Sequence, residues 1–458
     1  MKKEVPVEKN QNLQVTIHDL TYEGLGVAKR DGYPIFVENA LPDEVVDIKV
    51  IKAGKNFGFG KVLKLVKESS QRVATTDNRL LQTGIAPLQH LNYSGQLAFK
   101  RQQVQNVLQK IAKLPEVPVL PTLGSAKQTG YRNKAQIPVR LVEDHLTTGF
   151  FRKNSHQLIS MEDFYIQDPV IDQAVITIRD ILRDFGISAY NEENHTGFLR
   201  HIIVRRGYYS HEMMVTLVTR KEKFFDGPKI AQRIHEALPE VVSVMQNVNH
   251  EVTNVILGSH NIVLWGQSYY EDQLLGNTYR ISAPSFYQVN TPQAELLYQT
   301  AIDFAQLTKD DVVVDAYCGI GTIGLSLAKR VQQVYGVEVV PEAVADAKEN
   351  AKLNKVTNIS YEIGNAEDVM ATWQASGVKP TVVMVDPPRK GLSESFIDAT
   401  VAMAPEKVVY ISCNPATLAR DLALFNASGY NIEKVQPVDL FPQTVHVESV
   451  TLLTRREK

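Results

Sequence analysis

The stretch VVVDAYCGIGTIGLSLAKRV, residues 312–331, decides the fold. It opens as an apolar run of strand length, turns through glycines, and resumes as the start of a helix. Gly319, Gly321 and Gly324 stand at the G-x-G-x-x-G spacing, which lets backbone approach a ligand closely at a helix N-terminus. The alternation continues on both sides. NTPQAELLYQTAIDFAQL, residues 290–307, reads as a helix opened by an Asn-Thr-Pro start signal. QVYGVEVV (333–340), TVVMVDPP (381–388) and KVVYISC (407–413) read as strands, and PEAVADAKENAKLN (341–354) as a helix. Alternating β and α units predict a parallel, doubly wound sheet with its ligand at the carboxyl ends of the strands.

Upstream the pattern differs. Residues 130–277 read as a mixed α+β region. Its strands are KAQIPVRLV (134–142), HIIVRRG (201–207), MMVTLVT (213–219), VVSVMQNVN (241–249) and NIVLWG (261–266), and its helices span 170–185 and 228–238. Arg132, Lys134, Arg152, Lys153, Arg200, Arg205 and Arg206 gather here. Residues 71–115 look helical after an irregular start, with Leu97, Val104, Val107, Leu108 and Ile111 on one amphipathic face. Residues 13–66 hold five short Val/Ile/Phe-rich runs separated by EGLG, RDG, LPDE and AGKN, which predicts a five-stranded barrel of the OB type. Within it, Lys49, Lys52, Lys55, Lys61, Lys64 and Lys67 form a lysine stripe around Phe57 and Phe59. Such a stripe suits a surface that tracks phosphates and stacks bases, or is an ordinary solvated face with both phenylalanines in the core. The expected division is 1–70 for the barrel, 71–277 for the central α+β domain and 278–458 for the doubly wound domain.

Lys and Arg number 49 against 51 Asp and Glu, so the chain is not histone-like, although local basic surfaces remain open to it. No run of 18 apolar residues occurs and the N-terminus has no apolar signal core, so a cytoplasmic protein without membrane attachment is expected. Cys318 and Cys413 are the two cysteines, too few for a disulfide framework or an all-cysteine metal site.

The glycine loop, with Glu338 ending the next strand to accept ribose hydroxyls, fits a nicotinamide dehydrogenase and an S-adenosylmethionine-dependent methyltransferase equally well. Asp386-Pro387-Pro388-Arg389 breaks the tie. Prolines at a strand end stiffen a loop and leave carbonyls unpaired beside the ligand, as methyltransferases of flat nucleobases require. Arg389 follows, where enzymes that methylate exocyclic amines place an aromatic residue, so a ring-carbon target is indicated. Ile411-Ser412-Cys413-Asn414-Pro415 ends another strand. Cys413 is a candidate nucleophile there, against the alternative of a buried structural cysteine. QTVHVESV (443–450) places His446 and Glu448 on one face of a strand, where a carboxyl among apolar residues needs a task or a partner.

Taken in order, SFYQVN, DAYCGIGT, GVE, GNAED, DPPRKG, SCNP and HVES resemble the RNA (uracil-5-)-methyltransferases, and EGLGVAKRDGYPIFVENALPDE resembles their TRAM barrel. The resemblance runs through nearly the whole chain. It is strongest to the bacterial enzymes, of the Gram-positive type, that form 5-methyluridine in 23S ribosomal RNA. It implies an N-terminal OB-like TRAM barrel, a central RNA-binding domain and a C-terminal Rossmann-like methyltransferase domain. It further implies that Gln288, Tyr317, Thr322, Glu338, Asn365 and Asp386 line the S-adenosylmethionine pocket, with Cys413 as nucleophile and Glu448 as general base. Thr322 stands where an asparagine is often found. Many relatives hold an iron–sulfur cluster on C-x5-C-G-G-C and a fourth cysteine. The matching positions here are Asp77, Thr83, Ala86 and the neighbourhood of Phe164, so no iron–sulfur cluster and no metal are expected.

The implied chemistry needs these residue types. Addition of a Cys413 thiolate to uracil C6 makes C5 nucleophilic toward the sulfonium methyl, and Glu448 removes the C5 proton before Cys413 is expelled. Arg389 is placed to stabilise the enolate oxygen, to contact phosphate or to serve a structural ion pair. Cys318 is read as structural. The expected partner is 23S ribosomal RNA, with no DNA and no membrane, and the expected state is a monomer. The competing readings are a tRNA uracil-C5 methyltransferase, a nicotinamide oxidoreductase and an RNA-binding module without turnover.

Overall fold

A computed structural model describes residues 5–75 and 77–457. Strands β1 (Asn12–Leu20), β2 (Gly26–Arg30), β3 (Tyr33–Glu38), β4 (Val45–Ala53) and β5 (Gly58–Lys67) close into a barrel in the order β1-β2-β3-β5-β4. Period-two alternation drives the closure. Ile35 and Val37 of β3 and Val46, Ile48 and Val50 of β4 are fully buried, while the residues between them face outward. All six lysines of the stripe are exposed, and Lys49 stands directly opposite Lys61 across the β4–β5 ladder. Phe36, Phe57 and Phe59 form a cluster with centroids 5.5, 5.8 and 5.7 Å apart. Phe57 is 42% exposed and Phe59 half-buried, so neither phenylalanine is a buried core residue. Like charges directly opposite on a ladder are unfavourable in a bare protein.

Helix α1 (Asn78–Thr83) is capped by Asp77, whose carboxylate accepts the Arg79 amide at 2.8 Å. Thr83 bonds back to the Arg79 carbonyl, and Ala86 and Phe164 are fully buried in one apolar cluster with Leu80. The four positions that align with a cluster-binding set are thus occupied by a helix cap and by hydrophobic packing. Among the described residues, no group of three or more His, Cys, Asp or Glu is placed to hold a metal ion. No helix there is long and apolar enough to cross a membrane.

Helix α2 (Tyr93–Val107) continues as a π-helical turn over Leu108–Ala112. The wider turn shifts the phase of the apolar stripe. Val104 and Leu108 stay buried, whereas Ile111, expected on the same face, is 45% exposed. The central sheet contains β6 (Lys134–Val142), β7 (His145–Phe151), β8 (Leu158–Ser160), β9 (Leu199–Arg206), β10 (Met213–Thr219), β11 (Val241–Val248) and β12 (His260–Gly266), ordered β12-β11-β10-β9-β6-β7-β8. Helices α3 (Pro169–Asp184) and α4 (Gly227–Ala237) cover one face through Ile171, Ile178, Ile230 and Ile234. The sequence reading found β6 and β9–β12 but not β7, which Gly149 interrupts, or β8, which is three residues long.

The hairpin of β13 (Tyr269–Leu274) and β14 (Asn277–Ser282) leads into the C-terminal sheet. That sheet contains β15 (Val312–Ala316), β16 (Gln333–Glu338), β17 (Ile359–Ile363), β18 (Val382–Val385), β19 (Lys407–Ser412), β20 (Tyr430–Val438) and β21 (Glu448–Arg455), ordered β17-β16-β15-β18-β19-β21-β20. Strands β15 to β19 are parallel, as the βα alternation requires, and β21 runs antiparallel to both its neighbours. Six helices accompany them: α5 (Thr291–Ala305), α6 (Thr322–Ala328), α7 (Pro341–Leu353), α8 (Ala366–Ala375), α9 (Glu394–Met403) and α10 (Pro415–Ala427).

Two segments join the C-terminal unit rather than the central region to which the sequence reading gave them. Val104, Leu108, Leu114, Val117 and Val119 are buried with Tyr410, Leu422 and Val435, and Val119 and Leu123 bridge to Val435 and Val438. Tyr270 and Leu274 are buried with Leu297 and Ile323. Apolar burial accounts for the first, and the hairpin is also held by the amides of Thr278 and Arg280, which donate to Asn354 and Asn350 at the end of α7.

The barrel is fastened to the body by Glu44, which is fully buried and ion-paired with Arg72. Burial pushes the Glu44 carboxyl up, but hydrogen bonds from Arg72 and from the Leu41 and Ser69 amides outweigh it and hold the group below the ordinary carboxylate range. Arg72 also bonds the Asn39 carbonyl at 3.0 Å. Glu44→Ala leaves a guanidinium buried without its partner. A loss of about 3–5 kcal/mol is expected in denaturant unfolding, centred on the barrel junction.

Candidate active site

The carboxyl ends of β15, β16, β18 and β19 open on one cavity of about 610 Å³. Gln288, Tyr317, Thr322, Glu338, Asn365, Asp386, Cys413 and Glu448 all line it. Residues from position 288 to position 448 therefore converge as the doubly wound topology predicts.

The glycine loop is built for close approach. Gly321 has φ 85°, and a Cβ there would meet the Tyr361 hydroxyl at 2.3 Å. Gly319 has φ 52° with no atom within 4 Å of an added Cβ, so its open side is left for a ligand. Tyr317, just before it, holds φ 64°, a left-handed conformation unusual for a bulky residue, with its ring 5.5 Å from Phe396. Glu338 is fixed by three amides: Gly319 donates to Oε2 at 3.2 Å, and Val339 and Val340 donate to Oε1 at 2.8 and 3.0 Å. By lone-pair count, this leaves Oε2 room for one ribose hydroxyl rather than both. Asn365 opens α8, its side-chain amide donates to Asp368 at 3.1 Å, and its backbone carbonyl accepts from the Val369 amide at 3.1 Å.

Cys413 follows β19, and Glu448 begins β21. Ser412 pairs with Ser449 in the antiparallel ladder, so the register sets Cys413 opposite Glu448. His446 also lines the cavity but lies before the strand, not within it. Glu448 is 5% exposed and has no hydrogen bond among the described residues. Burial, with the Asp386 charge adding to it and Arg389 opposing, pushes its carboxyl up to about 8. Burial likewise pushes Asp386 up to about 7. Burial, then Glu448 and Asp386, push the Cys413 thiol up to about 11, against the pull of Arg389. Arg389 lines the same cavity and makes no ion pair among the described residues. His446 is held neutral, pushed down to about 4 by burial and by Arg389, Lys100 and Arg132. Cys318 borders the same cavity but is 4% exposed, and burial holds its thiol well above the ordinary range, as a structural role requires.

Tyr298, Phe286 and Phe441 are among the lining residues that the sequence reading did not single out. Tyr298, buried on α5, accepts from Gln288 Nε2 at 3.2 Å. Phe286 stands 70% exposed at the cavity rim, and Phe441 lies 6.2 Å from the His446 ring. An exposed aromatic inside the quoted SFYQVN was the one available signal; Tyr298 looks like any core residue of its helix.

The loop that carries Phe441 and His446 is clamped. Lys100 of α2 is fully buried, ion-paired with Asp439, and donates to the Phe441 carbonyl at 2.9 Å. Tyr93 donates to Asp439 at 2.8 Å, Tyr131 to the Pro442 carbonyl at 2.9 Å and Asn290 to the Leu440 carbonyl at 2.9 Å. Gln96 and Gln443 exchange hydrogen bonds of 3.1 and 3.0 Å.

These features set two expectations. Glu338→Ala removes one charged acceptor and should weaken S-adenosylmethionine binding by about 1.5–3 kcal/mol in calorimetry, with secondary structure unchanged by circular dichroism. Alkylation of Cys413 by iodoacetamide should rise with pH toward a midpoint far above that of a free thiol. The carboxylate at Glu448 disfavours the thiolate, so Glu448→Gln should move that midpoint down.

A family model for tRNA (uracil-5-)-methyltransferase matches residues 92–456, and one for the TRAM domain matches residues 6–63. The chain is 56% identical to an uncharacterized RNA methyltransferase of Enterococcus faecalis over 99% of each chain. It is 57% identical to one of Lactiplantibacillus plantarum over 100% of each. Among solved structures it is similar to the Pyrococcus abyssi tRNA (uracil-54, C5)-methyltransferase in complex with S-adenosyl-L-homocysteine. That match has a TM-score of 0.77 and 28% identity, and covers 96% of this chain and 99% of the other. With the glycine loop and the prolines of Asp386–Arg389 around one cavity, these matches place the chain in the RNA (uracil-5-)-methyltransferase family, as an S-adenosylmethionine-dependent enzyme with an N-terminal TRAM barrel.

Proposed function

We propose that the protein methylates C5 of a uridine in 23S ribosomal RNA, acting as a cytoplasmic monomer with no DNA or membrane partner. The observation that carries the chemistry is the β19–β21 register, which sets Cys413 opposite Glu448 at the edge of the cavity. S-adenosylmethionine, when bound, supplies an electrophilic methyl group. Gln288, Tyr317, Thr322, Glu338, Asn365 and Asp386 would hold it, with Glu338 accepting a ribose hydroxyl and the open side of Gly319 admitting its chain.

Cys413 releases its proton to solvent and its sulfur bonds to C6 of the uracil, the C5–C6 π pair passing into an enolate that makes C5 nucleophilic. C5 would then take the methyl group as the bond from sulfonium to methyl breaks, its electron pair staying on sulfur as a neutral thioether. Glu448 then removes the C5 proton, and the S–C6 bond breaks to restore the ring. Arg389, the guanidinium within electrostatic reach of both groups, stabilises the charge that develops on the uracil oxygen. The target base has to leave its stack to reach this pocket, at least cost from a loop. The division of labour follows: residues 1–70 and the central region grip the RNA, and residues 278–458 do the chemistry.

A second reading, a tRNA uridine as target, is favoured by the likeness to the Pyrococcus abyssi enzyme. That match spans 96% of this chain, so the barrel alone does not mark a ribosomal substrate. Mapping 5-methyluridine in 23S ribosomal RNA and in tRNA from a deletion strain decides between them. Loss from 23S ribosomal RNA is expected; loss from tRNA alone overturns the ribosomal assignment.

The chemistry has its own test. With RNA carrying 5-fluorouridine at the target, the wild type should give a denaturant-resistant protein–RNA band, because fluorine cannot leave as a cation. Glu448→Gln should accumulate a methylated adduct on ordinary RNA. Cys413→Ala should give no band and Cys318→Ser should keep it. A band that depends on Cys318 instead would move the nucleophile.

A further inference from the structure

Arg132 and Lys134 flank Asn133, and the backbone there is held against the cavity from two sides. Asn133 donates its amide to the Val289 carbonyl at 2.8 Å and its side chain to the Gln288 carbonyl at 3.0 Å. Tyr131 donates to the Pro442 carbonyl at 2.9 Å. The loops so gripped are those that carry Phe286 and Gln288 and Phe441 and His446 to the cavity. Arg132 stands beside these loops, and its charge acts on His446, which lines the cavity.

The cations here lack partners. Among the described residues Lys134 makes no hydrogen bond or ion pair, and Nε of Arg132 is buried with no acceptor. Arg205 on β9 stands directly opposite Lys134 and spends one donor on the Ala283 carbonyl. The neighbouring carboxylate, Asp168, is taken by Arg206 at 3.0 Å and by the Val170 amide at 3.0 Å. Tyr270 faces Arg205 rather than Lys134. Arg132 and Lys134 are half-buried and Arg205 is 3% exposed, and cations withdrawn from water without a carboxylate partner are costly unless an anion completes them.

The geometry points to a phosphodiester subsite formed by Arg132 and Lys134, with Arg205 behind them, that grips the RNA backbone beside the nucleotide turned into the cavity. It rests on the RNA-methyltransferase reading above and assigns the contact that orients the substrate beside these loops. Arg132 supplies a planar fork suited to two phosphate oxygens, and Lys134 supplies a point charge. Burial, with Arg205 and Arg132, pushes the Lys134 ammonium down to about 7 in the free protein. A docked phosphate favours its charged form, so binding takes up a proton. Affinity for RNA then falls as pH rises through 7.

The test measures binding of fluorescently labelled, unmodified transcripts of 23S ribosomal RNA and of tRNA across a salt series, at about pH 6.5 and about pH 8.5. Wild type should bind less tightly at the higher pH. Lys134→Arg should bind as tightly as wild type at the lower pH and lose most of the pH dependence. Lys134→Met should weaken binding about tenfold and lower the salt slope by about 0.7–1, with S-adenosylmethionine affinity unchanged as the measure of an intact fold. If Lys134→Met binds RNA with the wild-type affinity, salt slope and pH dependence, the subsite is overturned while the methyltransferase reading stands. If wild type binds neither RNA at any salt, both fall.

Discussion

The catalytic geometry depends on a buried ion pair between Lys100 and Asp439, residues from opposite ends of the chain. Neither side chain is exposed, so the pair is not a surface ornament. Burial pushes the Lys100 ammonium below its ordinary range, and the Asp439 carboxylate offsets part of that. Such a pair gains little over apolar packing, but losing one partner is destabilising by several kcal/mol, which makes it a specifier of arrangement. What it specifies is the path of residues 439–446 between two antiparallel strands. Tyr93, Gln96, Tyr131 and Asn290 bond the same loop from three directions. With the loop fixed, β21 enters the sheet in the register that sets Glu448 beside Cys413.

The cavity's charge follows from that crowding. Asp386, Glu448 and Cys413 are acids withdrawn from water, each raised by burial, and Cys413 is raised further by its two neighbours. Arg389 offsets only part of this. A site of this kind favours a cationic ligand, because a positive charge among the three stabilises their ionised forms and its own presence together. The sulfonium of a methyl donor has that charge and its demethylated product does not. In the proposed function, such electrostatics would suit binding of the donor, release of the product and ionisation of Cys413.

Cationic side chains gather at two distances from this centre. The barrel offers the Phe36–Phe57–Phe59 cluster among exposed lysines, a sequence-tolerant combination of stacking and phosphate contact. The Glu44–Arg72 pair ties the barrel to the segment before α2, and Lys153 reaches Glu38 of the barrel from the central region. The helix clamped to the catalytic loop is thus continuous with the segment that docks the barrel.

By itself the sequence determined the parts whose signal is local. Period-two runs announced the barrel and five strands of the central sheet, and alternating β and α segments announced the parallel sheet. The glycine spacing marked Gly319 and Gly321, and strand-end positions marked Glu338, Asp386 and Cys413. These are legible because strands, helices and tight turns are dictated by residues a few positions apart. Glu448 was legible as a carboxyl out of place in an apolar strand. That it faces Cys413 was not, because register is a property of two strands. Tyr298 and Lys100 gave no warning: a tyrosine and a lysine on helices look ordinary until burial shows what they touch. Lys100 and Asp439 lie 339 positions apart, and nothing in either local pattern names the other. Only tertiary structure decided that pairing, and with it the attachment of α2 to the C-terminal sheet and the unpartnered cations beside the cavity loops. Contacts at such separation are selected by complementary burial and charge across the whole fold, which no window of sequence contains.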